Sequence, residues 1–139
     1  MKKLFLITAL FISTHTFADE LPNYDAIKTA VLSGKTIHIT VNFAKCQTPK
    51  QSQNLTNVGI FTPNEIMLLS DEMATSFNHF TMNNPAFPNR AVNEFATYRI
   101  TSDNTLNLTY QLIDPQNYTI LGDKMEVQCA LGKGAKVFG

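Results

Sequence analysis

The chain has 139 residues, with 11 Lys and Arg balanced by 11 Asp and Glu, 44% hydrophobic residues, no Trp and two Cys. That balance leaves no basic surplus for a nucleic-acid surface, which needs clustered Lys and Arg. The length suits one compact domain with a modest core.

Lys2 and Lys3 precede an apolar run from Leu4 to Ile12 broken only by Thr8, and Thr16-Phe17-Ala18 then offers the small residues that a signal peptidase reads. Residues 1–18 therefore read as a secretory signal and residues 19–139 as the mature domain. Losing Lys2 and Lys3 leaves nine basic side chains against eleven acidic ones. The apolar run is short of the roughly 20 residues that span a bilayer, and no later stretch approaches that length, so no membrane span is expected after signal removal.

Asn23 can cap a helix over 21–32, in which Tyr24, Ile27, Ala30 and Val31 recur at helical spacing. Gly34 then supplies the left-handed residue that closes it. Ile37, Ile39, Val41 and Phe43 alternate with Thr36, His38, Thr40 and Asn42, the period of a strand with one buried face. A polar loop follows over 47–54. Strands are expected over 55–61, 65–70 and 73–82, although Ile66 to Leu69 fits a helical turn equally well. Residues 83–90, with two prolines around Phe87, form a loop.

Strands over 92–101 and 105–113 flank Ser102-Asp103-Asn104, which suits a tight hairpin. Asp114-Pro115-Gln116-Asn117 reads as a type I turn, residues 118–121 as a return, and Gly122-Asp123 as another turn. Met125, Val127, Cys129 and Leu131 share one face of the last strong strand. One N-terminal helix with seven or eight short strands predicts an α+β, mainly β fold, its antiparallel sheet curled into a partly closed barrel or sandwich. A parallel doubly wound fold would need alternating long helices.

In an oxidising compartment, periplasmic or secreted, Cys46 and Cys129 can pair in only one way. The bridge would close a loop of about 84 residues, worth on the order of 4.5 kcal/mol at most by chain entropy. Two free thiols, or a metal pair with His38 or His79, are the alternatives. The spacing matches no compact zinc motif, and neither metal nor cofactor is expected.

No G-x-S-x-G, H-E-x-x-H, P-loop or G-x-G-x-x-G is present. Asp71, Glu72, Asp103, Asp114 and Asp123 fall at expected turns, where acids usually cap. No catalytic residue is assigned, and an enzyme would need His38 or His79 to meet a carboxylate in a cleft.

The signal, the helix ending in Leu32-Ser33-Gly34-Lys35, the strand ending Val41-Asn42-Phe43-Ala44-Lys45-Cys46, and the later Tyr98-Arg99-Ile100 and Leu112-Ile113-Asp114-Pro115-Gln116-Asn117-Tyr118 together resemble the VirK family of small exported bacterial proteins. The resemblance implies association with virulence loci, without an established biochemical activity or catalytic residues. The expected function is non-enzymatic binding of a protein partner in the envelope or outside the cell. The alternative is a carrier holding an apolar small molecule inside a barrel, among Leu106, Leu108 and Tyr110.

Overall fold

The computed structural model describes residues 18–48 and 56–139. The expected signal therefore lies, apart from Ala18, outside the described residues, as does most of the 47–54 loop.

One helix, α1 (Tyr24–Leu32), precedes β1 (His38–Asn42), a 3-10 turn (Phe43–Lys45), β2 (Val58–Phe61), β3 (Met67–Leu68), β4 (Glu72–Thr81), β5 (Val92–Thr101), β6 (Thr105–Ile113), β7 (Ile120–Ala130) and β8 (Ala135–Phe138). The strands form a small antiparallel sheet in the order β2-β1-β8 and a large antiparallel one in the order β3-β4-β5-β6-β7. The large sheet keeps two separate edges, β3 and β7, so the barrel half of the expected geometry is not realised.

The helix ends are built from local chemistry. Asn23 Oδ1 accepts from the Ala26 N–H at 2.9 Å and so satisfies one of the orphan donors of the first turn. Gly34 sits at φ +81, with its N–H on Val31 O and the Lys35 N–H on Ala30 O, the paired bonds of a Schellman ending. The start of the helix is also tied to the large sheet. The Tyr24 N–H donates to Asn104 Oδ1 at 2.8 Å, from the three-residue β5–β6 loop where Asn104 holds φ +65.

One core joins these layers. Ile27 from α1, Ile39 and Val41 from β1 and Val137 from β8 meet Met73, Ile100, Leu106, Val127 and Cys129 of the large sheet, all nearly inaccessible. Burying an aliphatic side chain of this kind contributes roughly 1.5–3 kcal/mol. The small sheet is completed from both ends of the described chain. The Leu21 N–H donates to Val137 O, and the Asp19 and Gly139 backbones bond each other in both directions.

Three expectations are corrected. The strand over 65–70 shrinks to Met67–Leu68, because Glu65 leaves the ladder to accept from Thr75 Oγ1 at 2.6 Å. Gly122-Asp123 does not reverse the chain: Tyr110 pairs with Met125 and Leu112 with Leu121, so the surplus residues bulge out of a continuous β7, and Gly122 at φ +74 supplies the bend. The turn after β6 is longer than a four-residue type I turn. The Tyr118 N–H reaches Asp114 O, Tyr118 takes φ +59, and pairing resumes only at Ile120. In addition β8, which lies within the Gly-Lys tail, is a strand that the pattern analysis passed over.

Candidate binding surface

The two cysteines are bonded to each other, with Cα atoms 4.5 Å apart, joining the segment after the 3-10 turn to β7. They do not form a metal pair with a histidine. Cys129 is fully buried, and the bridge is flanked by reciprocal backbone bonds between Gln47 and Gln128 at 2.7 and 2.8 Å. Gly134 packs on it so closely that a Cβ there would lie 2.8 Å from Cys46 Sγ.

His38 and His79 are not brought together. His38 is exposed on the outer face of the small sheet, its Nδ1 2.7 Å from Thr62 Oγ1. His79 lies toward the far end of β4, with Nδ1 3.2 Å from Glu94 Oε2, and its side chain is 54% exposed. The other oxygen of Glu94 accepts from Asn84 Nδ2 at 2.7 Å, and the same amide lies 3.4 Å from Tyr110 Oη. Buried Asn84 thus anchors the 82–91 loop to the core-side face of the large sheet. Burial first, and then the charge of Glu94, raises the Tyr110 phenol above its ordinary value. The carboxylate orients the imidazole ring, and the histidine side of the pair is open to solvent.

The turn acids serve the turns. Asp103 accepts from Thr101 Oγ1 and the Thr105 N–H, and its carboxyl is held low mainly by the threonine hydroxyl. Asp114 accepts from the Gln116 N–H at 2.8 Å and pairs with Arg90, and in that order these partners hold its carboxyl below the usual range. Glu72, by contrast, lies in β4 and pairs with Arg99. Leu106 and Leu108 belong to the packed core, so they line no barrel interior, and Tyr110 sits beside that core.

The surface that stands apart is β4. From Met73 to Asn89 the chain has no Asp, Glu, Lys or Arg. Within that run Phe77, Phe80 and Met82 are 46, 58 and 56% exposed. β3 pairs only with Met73 and Ala74, so among the described residues Ser76 to Thr81 has β5 on one side and no strand on the other. Two hollows flank this edge. On the core side a groove of about 240 Å³ opens between Phe61, Tyr98 and Phe77, where Phe61 stacks on Tyr98 with centroids 3.8 Å apart. On the outer face a cleft of about 430 Å³ lies between Met67, Ser76, Phe95 and Thr97. Strand patterning missed this edge because it gives strands over 65–70 and 73–82 without saying which pair; the long uncharged run was the signal that could have found it.

A sequence model of the VirK protein family matches residues 20–118. The chain belongs to the VirK family. Its structure is similar to a crystal structure of a VirK family protein from Legionella pneumophila, with a TM-score of 0.78 and 26% identity over 86% of this chain and 98% of that one. No curated protein matches the chain. The match by family model takes in α1 through the turn after β6, and so includes β4, both hollows and Cys46 of this VirK chain.

Proposed function

We propose that this VirK family protein is exported and acts by contact with a protein partner in the envelope or outside the cell, without turning over a substrate. The observation that carries the reading is the uncharged, aromatic β4 edge, with Phe77 and Phe80 about half exposed where strand edges ordinarily carry charge or proline. Exposed apolar side chains on both faces of an unpartnered strand edge, Phe77 on the core side and Phe80 on the outer, suit an interaction site. The Cys46–Cys129 bridge supports export, since such bonds persist in oxidising compartments, and so does the leader-like pattern of residues 1–18.

Two measurements test the reading. Cell fractionation with intact mass should find an oxidised protein beginning at Asp19 outside the cytoplasm; reduced, full-length protein confined to the cytoplasm would reject export. Phe77→Asp with Phe80→Asp should leave the melting temperature nearly unchanged and abolish crosslinking to extracytoplasmic proteins. Turnover of any member of a broad hydrolase panel, lost on His79→Ala, would reject a purely binding role.

A further inference from the structure

We infer that β4 recruits its partner by strand addition: an extended, uncharged segment of another protein pairs with the backbone of Ser76–Thr81, in line with β3. The inference rests on the contact reading above and specifies how contact is made.

The backbone identifies the occupant. Glu72 O accepts from the Leu69 N–H on the β3 side, so the polar groups of Glu72 point away from β5. The β4–β5 register runs without a break from Glu72↔Thr101 to Thr81↔Val92. In an antiparallel ladder the direction of the backbone groups alternates along the strand. The N–H and C=O of Ser76, Asn78 and Phe80 therefore point to the open edge, while those of Phe77 and His79 are committed to β5. A row of donors and acceptors at that spacing is matched by another extended main chain.

The side-chain environment narrows the partner. Strand addition draws affinity from main-chain bonds and specificity from pockets for alternate side chains. Here one hollow lies on each face of the same edge: the Phe61–Phe77 groove takes a large apolar side chain on the core side, and the Met67–Phe95 cleft takes its neighbour on the outer side. From Met73 to Asn89 the edge strand itself carries no charge to pair one on the incoming strand; Glu65 and Arg99 stand at the wall of the outer cleft, with Arg99 already paired to Glu72. The free length is short and ends at the 82–91 loop, which fits a linear segment.

The test is a phage-displayed library of random linear dodecapeptides selected on the full mature protein. Enriched peptides should be uncharged with alternating apolar residues, and should slow amide exchange at Ser76, Asn78 and Phe80 while leaving Phe77 and His79 unchanged. Asn78→Pro removes one outward N–H and no β4–β5 bond, a position where an edge strand accepts proline; it should weaken binding by about tenfold or more. Phe80→Lys places a charge on the exposed outer face and should weaken binding similarly, so the inference does not depend on the proline variant folding. Equal binding by both folded variants, protection elsewhere, or no enriched peptide would overturn strand addition; a protein partner still crosslinked away from β4 would then leave the contact reading standing. Concentration-dependent dimers of the protein alone that protect the same three amides would replace the foreign strand with a second copy.

Discussion

Tyr24 carries a cost inside the core: its ring is buried at 4% exposure, and its hydroxyl has no hydrogen-bond partner. An unsatisfied buried hydroxyl costs about 1–3 kcal/mol of desolvation, whereas the ring alone would keep its packing. Tyr24→Phe should therefore leave the fold unchanged and raise stability by up to about 1 kcal/mol, read as a higher urea midpoint at constant slope. Asp114 acts in the opposite sense. Its folded carboxyl lies below the unfolded value of about 3.9, because the Gln116 N–H and then Arg90 favour the charged form. Its contribution is present above the unfolded value and is lost as pH falls through the folded one. Melting curves between pH 6 and 2 should show a smaller acid-induced loss for Asp114→Asn than for the wild type, together with lower stability at pH 6. Equal losses would remove Asp114 from the acid response.

At the scale of elements, the β5–β6 hairpin is more than a connection, because its loop caps the helix start through Asn104. Asn104→Ala loses that bond and replaces a residue that tolerates the left-handed region with one that does not, a combined cost of about 2 kcal/mol. Asn104→Gly restores the conformation but not the bond and should fall between the two in urea midpoint. The helix, β1, the β5–β6 hairpin and the Cys46–Cys129 bridge were legible in sequence because each is written in local period, turn chemistry or compartment. Other features depend on distant partners. The shortening of β3 follows from a Thr75 hydroxyl taking Glu65 O ten residues earlier, and nothing in Ile66 to Leu69 announces it. Gly122-Asp123 carries turn chemistry in sequence, but β6 keeps hold of the strand on both sides and converts the turn to a bulge. The β4 edge was legible only as an uncharged run from Met73 to Asn89, since pairing, which defines an edge, depends on distant neighbours.

For the molecule as a whole, the bridge crosses from the segment after β1 to β7 with a sequence separation of 83. Chain entropy sets its stabilisation on the order of 4.5 kcal/mol at most, a large share of the 5–15 kcal/mol typical of a domain. Cys46→Ser with Cys129→Ser should lower the urea midpoint markedly, and dithiothreitol should do the same to the wild type while leaving the double variant unaffected. A wild-type midpoint insensitive to reductant would show that the noncovalent core suffices.

Backbone bonds between the segment at 19–21 and β8, together with the seat of β8 beside β1, set an order of events. The large sheet joins neighbours in sequence and can assemble as each hairpin is made, whereas the small sheet must close a circuit across nearly the whole polypeptide. During synthesis β1 waits with one flank bare until residues 135–139 emerge. Whatever shortens the chain before residue 135 therefore removes one of the three strands of the small sheet and not merely a tail.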